Sequence, residues 1–346
     1  MVRKVLVGLL LVCTIFGAYA AGTKEAAKIV AAMATDIGGL GDKSFNDGSF
    51  AGLQEAEKKL GVTAKVVESK QQTDYVPNLG GLADDGAKIV FAVGFLMADA
   101  VVEVAKTHPA AFFAGIDIFV ADDAPKNLRG INFKEQESGY IAGVVAGLMT
   151  KKYASASSRL NDKNVVGMVL GMDIPPVERY QAGFYAGVKS VNPDCEVLSV
   201  VTGSFTDQAK GKEAAIAMIE KGADIVFQIA GLTGMGALNA AKESGVCGIG
   251  VDVDQYAVAP EAIITSALKN VTGATYLSIK DVIDGKFKGG NILLGINEDA
   301  TGIAPYHEFD KVIPKEVKDA VTKAIADMKA GKITAPATRK EAGYSG

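Results

Sequence analysis

The chain has 346 residues and a formal net charge of −4 at pH 7. That length exceeds the usual single hydrophobic core and suggests two domains, while the mildly acidic balance argues against nucleic acid or an anionic membrane as partner. With two histidines and three cysteines, a zinc enzyme or a Ser-His-Asp hydrolase is poorly supplied.

Arg3 and Lys4 precede an almost wholly apolar run over residues 5–17, and Ala18-Tyr19-Ala20 puts small residues at the two positions a signal peptidase inspects. This is the order of a secretory signal peptide, residues 1–20, and the run is shorter than the ~20 residues a membrane span needs. Cys13 raises the alternative of a lipoprotein signal. Bulky Val12 precedes it, and cleavage there would cut the apolar segment short, so a mature start at Ala21 is expected ahead of a lipid anchor. The protein is thus read as exported, periplasmic or held at the cell envelope.

From residue 21 onward, short β-branched runs alternate with amphipathic helical stretches. Residues 28–35, 64–69, 88–93 and 111–117 read as strands, with helices over 46–60, 75–85 and 97–107. The pattern restarts with strands over 164–170, 196–201, 224–230 and 246–252, and helices over 176–190, 208–221 and 234–244. Continuous apolar strands joined by helices imply parallel sheets covered on both faces. The halves also agree in letters: Ala87-Lys88-Ile89-Val90-Phe91 matches Ala223-Asp224-Ile225-Val226-Phe227, Ala105-Lys106 matches Ala241-Lys242, and Gly115-Ile116-Asp117 matches Gly250-Val251-Asp252. A duplicated α/β lobe follows. Ligands of open α/β sheets bind beyond the carboxyl ends of the strands, where Asp36, Asp117, Gly231 and Asp252 fall. Cys195 and Cys247 open the second and fourth strands of the second half. In a 2-1-3-4 strand order two strands would separate them at about 4.8 Å each, beyond the ~7 Å reach of a disulfide, so both are expected free.

Two segments carry aromatics at strand-to-helix junctions. Thr35-Asp36-Ile37-Gly38-Gly39-Leu40-Gly41-Asp42-Lys43-Ser44-Phe45-Asn46 lacks the spacing of a phosphate loop, and Asp42 would repel phosphate. Its Phe45 falls off the core periodicity and is expected to face the cleft. Thr202-Gly203-Ser204-Phe205 repeats this logic in the second half, so Phe45 and Phe205 are expected at equivalent junctions, sandwiching a planar ligand. Gly234-Met235-Gly236 followed by Asp252 is only a partial dinucleotide fingerprint. Asp252 offers a carboxylate for a diol, and Asp254 and Lys269 read equally as a hinge ion pair or a solvated face.

Taken together, TDIGGLGDKSFND, NFKEQESGYIAG, VVGMVLGMDIPPVERYQAGFYAG, GSFTDQAKGKEAA, AGLTGMGALNAAKE and GIGVDVDQ resemble the basic membrane protein family, the purine nucleoside receptor A-like substrate-binding components of ABC transporters. The resemblance implies an α/β chain of two doubly wound parallel-sheet lobes, a type I periplasmic-binding-protein fold with three interlobe crossings. The lobes are placed at residues 21–132 plus 254–285 and 133–253 plus 286–346. It also implies stacking by Phe45 and Phe205, base contacts from Asp36, Asn46 and Asp117, and a ribose-holding set of Gly231, Asp252 and Lys269. The partners implied are a purine nucleoside and a cognate ABC permease in the inner membrane, without cofactor, metal or catalysis. A sensory receptor or a surface adhesin or antigen of the same fold is the alternative.

Overall fold

The computed structural model describes residues 28–344, so the signal segment, with Cys13 and the Ala20–Ala21 junction, lies outside the described residues. The first half lays down β1 (Val30–Thr35), α1 (Phe45–Leu60), β2 (Thr63–Glu68), α2 (Tyr75–Asp84), β3 (Ile89–Val93), α3 (Ala98–Thr107), β4 (Phe112–Ile116) and β5 (Leu128–Phe133). After α4 (Glu135–Met149) the second half repeats it with β6 (Val165–Leu170), α5 (Pro175–Val191), β7 (Glu196–Val201), α6 (Gln208–Glu220), β8 (Ala223–Ile229), α7 (Gly231–Glu243), β9 (Cys247–Asp252) and β10 (Ile263–Lys269). The chain ends in α8 (Val271–Ile283), β11 (Gly290–Leu294), β12 (Thr301–Ile303), α9 (Lys315–Lys329) and the short α10 (Arg339–Ala342).

Two six-stranded sheets result, ordered β11-β5-β4-β3-β1-β2 and β12-β10-β9-β8-β6-β7. The orders correspond strand for strand, as the duplication requires; only β12 runs antiparallel to its neighbour. Every residue of β3, β6 and β8 is buried, because helices cover both faces of each parallel sheet.

The lobes exchange chain three times, at positions that differ in part from the expected ones. The first passage follows β5. β10, assigned by sequence to the first lobe, is hydrogen-bonded to β9 in the second sheet. β11, assigned to the second lobe, pairs with β5 in the first. The later passages therefore lie near Asn270 and Gly295 rather than after residues 253 and 285. β5 and β10 feed the helices that pack on the opposite lobe, α4 against α5 and α8 against α1.

Glycines set how close these helices come. A Cβ at Gly143 would sit 2.2 Å from the carbonyl oxygen of Phe184, and one at Gly183 would sit 2.1 Å from that of Gln136. The spaced glycines of GYIAG and QAGFYAG thus serve backbone-to-backbone packing of α4 on α5. That close pair carries Tyr180 to the cleft, with Glu135 and Arg179 behind it. Cys195 and Cys247 are free and buried, with β6 and β8 between the strands they open. Burial pushes both thiols up to about 12.

Candidate functional site

The carboxyl ends of both sheets converge on one cavity of about 570 Å³, counting the part open to solvent. The structure brings all eight sequence-selected residues to its lining: Asp36 after β1, Phe45 and Asn46 at the start of α1, Asp117 after β4, Phe205 after β7, Gly231 after β8, Asp252 at the end of β9 and Lys269 at the end of β10.

Lys269 organises the polar end. Its buried ammonium lies 2.7 Å from Asp117, 3.4 Å from Glu135 and 3.7 Å from Asp252. Burial alone would pull this ammonium down, but the three carboxylates outweigh it and hold its pKa above the ordinary lysine value. Of the two ion-pair candidates, Lys269 therefore pairs inside the cleft, whereas Asp254 pairs with His307 at 2.6 Å. Glu135 is fully buried and is gripped from behind by Arg179, with Nε to Oε2 at 2.5 Å. Burial raises its pKa against the pull of Lys269 and Arg179. Asp252 accepts from Ser44 Oγ of the opposite lobe at 2.6 Å and from the Tyr180 hydroxyl at 3.3 Å. Burial raises the Asp252 pKa against the opposing pull of Lys269 and Ser44. Its backbone and that of Asp117 both have positive φ, 64° and 62°, a left-handed conformation that aspartate tolerates better than most residues.

The other end of the polar wall has no cation. Asp36 Oδ1 accepts from the Gly38 N–H at 2.9 Å and from Asn46 Nδ2 at 3.1 Å. Burial pushes both Asp36 and Asp42 up to about 6. Asn46 Oδ1 and Asp117 Oδ1 are buried with no partner among the described residues. Such orphaned acceptors are costly unless a donor reaches them. The apolar part of the lining is formed by Ile174, Pro176, Val177, Ile229 and Val251 together with the aromatic rings.

Two expectations about the aromatics change. Phe45 follows β1, the first strand of its lobe, but Phe205 follows β7, whose counterpart by sheet order is β2. The two junctions are therefore not equivalent; the true counterpart of the Phe45 loop follows β6 and supplies Ile174 and Pro176. In addition, Lys269 Nζ sits 4.7 Å from the centroid of the Phe45 ring, so a planar ligand has at most one face of that ring. The Phe205 ring rests on Gly171, where a Cβ would lie 2.1 Å from a ring carbon. The geometry also groups Asp117 with Lys269 and Asp252 rather than with Asp36 and Asn46.

A family model described as ABC transporter substrate-binding protein PnrA-like matches residues 29–337. The chain belongs to this family. Among its relatives, the ABC transporter nucleoside-binding protein BmpA of Lactococcus lactis is 34% identical over 342 residues, covering 92% of this chain and 92% of that protein. An uncharacterized lipoprotein of Pyrococcus abyssi is 34% identical over 326 residues, covering 88% of this chain and 78% of its own. Among solved structures, an ABC transporter solute-binding protein of Aeropyrum pernix K1 superposes with a TM-score of 0.81 at 28% identity, covering 89% of this chain and 94% of that one. Family and fold are thus those of a transporter's substrate-binding component, with two parallel-dominated lobes of the type I periplasmic class, and not those of an enzyme. The lipoprotein relatives leave the expected unlipidated start at Ala21 without support. No helix among the described residues is long and apolar enough to cross a membrane.

Several lining residues escaped the sequence reading. Asp42 and Gly38 were in plain view but read as loop residues. Tyr180 lies mid-helix among core positions and gave no signal. Ile174 and Pro176 had one: the Pro-Pro pair follows the first strand of the second half, where the duplication calls for a cleft loop.

Proposed function

We propose that this protein is the extracytoplasmic receptor that delivers purine nucleosides to an ABC permease. The observation that carries the reading is the pairing of an apolar, aromatic-bearing wall with a polar wall whose Asn46 Oδ1 and Asp117 Oδ1 lack donors. A free sugar would leave the apolar wall unused. A nucleotide would bring phosphate against Asp36, Asp42, Asp117 and Asp252 with Lys269 as the lining's single cation. A neutral nucleoside satisfies both walls, its base against the rings and its hydroxyl and N–H donors toward the acceptors. The relative named nucleoside-binding supports the same class.

In this reading Phe45 and Phe205 flank the base, each stacking face being worth roughly 1–3 kcal/mol, and Asp36 and Asn46 face its polar edge. Asp252, Gly231 and Lys269 hold the ribose, with Asp117 beside them. Asp252 can serve even though Ser44 and Tyr180 already donate to it, since an ionised carboxylate has about four acceptor sites. Two tests apply. Mass spectrometry of small molecules released by denaturing freshly purified protein should find a purine nucleoside. Calorimetry with inosine, guanosine, adenosine, guanine, ribose and guanosine monophosphate should show nucleosides far ahead of the free base, the sugar and the nucleotide. Preferred binding of ribose or another sugar would refute the ligand class.

A further inference from the structure

The C-terminal segment grips the second lobe at two places, and each place leads to a wall of the cavity. Arg339 Nη2 donates to both carboxylate oxygens of Asp173, at 2.9 and 3.1 Å. Its backbone N–H donates to Glu178 Oε1 at 3.0 Å, and its Nε lies 3.5 Å from the same carboxylate. Asp173 and Glu178 bracket Ile174, Pro176 and Val177, which form part of the apolar wall. Five residues on, the Tyr344 ring packs on Tyr185 with centroids 4.5 Å apart, and its hydroxyl donates to Ser199 Oγ at 2.9 Å. Ser199 belongs to β7, the strand that runs into the loop bearing Phe205.

Between these anchors the segment is internally braced. Thr338 Oγ1 accepts from the Glu341 N–H at 3.2 Å, while the Glu341 carboxylate accepts from the Ala337 and Thr338 N–H groups at 2.8 and 3.3 Å. None of residues 338–344 lines the cavity, and the family match ends at residue 337.

We propose that residues 338–344 form a strap that positions the second-lobe wall of the binding cavity, with Arg339 and Tyr344 as its positioning residues. Arg339 fixes the turn that presents Ile174 and Pro176, and Tyr344 fixes the strand that presents Phe205. An isolated surface ion pair contributes little. Here Nη2 reaches both oxygens of one carboxylate while Nε lies beside a second that also accepts from the residue's own backbone N–H, so one side chain ties together the two carboxylates that flank the turn.

The binding arm of the test rests on the nucleoside reading above, and a hydrogen-exchange arm does not. Arg339→Gln, and a chain ending at Ala337, should bind inosine about three- to tenfold more weakly. Arg339→Lys, which keeps the charge but has one nitrogen where arginine presents Nη2 and Nε to two carboxylates, should recover part of that loss. In the absence of any ligand, amides of residues 172–178 and 202–206 should exchange faster in Arg339→Gln and in the truncated chain, with the first lobe unchanged. Unaltered exchange in both segments, or unaltered inosine affinity in both variants, would overturn the strap. If the unaltered protein binds no nucleoside, the proposed ligand class fails, and the exchange arm still decides the strap.

Discussion

Asp117 and Asp252 occupy corresponding places in the two lobes, each ending a Gly-aliphatic-Asp strand terminus, each left-handed, each turned toward Lys269. Their surroundings differ. Asp252 is tied to Ser44 across the cleft and to Tyr180 within its own lobe. Asp117 makes the shorter contact to Lys269 and leaves its other oxygen buried without a donor. The duplicated lobes thus carry a corresponding pair of carboxylates, of which one has protein donors and the other keeps one oxygen without any among the described residues. A site made by duplication needs only one lobe to change for its two halves to take different tasks.

The comparison depends most on the cation between the two aspartates. Removing one partner of a buried charge cluster leaves the others uncompensated, at a cost of about 3–5 kcal/mol. Lys269→Met should lower unfolding free energy by that amount in urea titrations at pH 7. A loss below about 1 kcal/mol would mean that protons, rather than Lys269, neutralise the carboxylates.

Next in size is the separation of roles. Asp252→Ala should cost inosine roughly 1.5–3 kcal/mol of binding while hardly changing hypoxanthine, because the ribose grip is lost and the base contacts stay. Calorimetry with both ligands decides it. An equal loss for hypoxanthine would make Asp252 a latch between lobes rather than a ribose acceptor.

These contrasts were only partly legible in the sequence. The strands of β3 and β8 were readable because they are buried on both faces and so run apolar without interruption, and the duplicated letters fixed the correspondence of the lobes as far as β9. The later returns were not, because β10 and β11 are assigned to a lobe by their hydrogen-bonded neighbours and nothing local in residues 263–269 or 290–294 says which sheet they join. The cavity-lining positions of Asp36, Asp117, Gly231 and Asp252 were recoverable from topology, because each falls at the carboxyl end of a strand. Phe205 was found by a similar loop composition although its strand is not the counterpart of β1, so a correct lining residue was reached through an incorrect equivalence. Glu135, Arg179 and Tyr180 were invisible because their roles come from the closeness of α4 and α5, which depends on glycines whose packing partners lie about forty residues away in the chain.

Asp36 extends the comparison to a carboxylate of the same cleft without a cation beside it. Its pKa, pushed up by burial from the ordinary 3.8 to about 6, means that the folded protein holds its proton more tightly than the unfolded chain. The stabilising contribution is therefore complete below about pH 4 and is lost as pH rises through 6. At pH 7 the ionised side chain is a net cost. Asp36→Asn, whose amide oxygen can still accept from Gly38 and Asn46, should raise the stability of the unliganded protein by about 1–3 kcal/mol at pH 7 and not at pH 4. Urea titrations at the two pH values check this, and an equal effect at both would assign the gain to packing instead of charge.

The smallest expected effect isolates the latch from the grip. Ser44 contributes no charge, yet its hydroxyl joins the first lobe to Asp252 in the second. Because this bond crosses the cleft, Ser44→Ala should act on the closed form and leave each lobe's core intact. A net hydrogen bond is worth roughly 0.5–1.5 kcal/mol, about two- to tenfold in affinity. Losses of this kind appear mainly in dissociation rates, as bound complexes lose contacts that encounter does not yet use. Stopped-flow measurements should therefore show inosine leaving Ser44→Ala two- to tenfold faster with little change in association. Hypoxanthine dissociation should speed up by the same factor, because closure holds both ligands alike. A rise confined to inosine would mean that Ser44 orients Asp252 for the ribose, and the difference between the paired aspartates would then be one of ligand geometry and not of lobe closure.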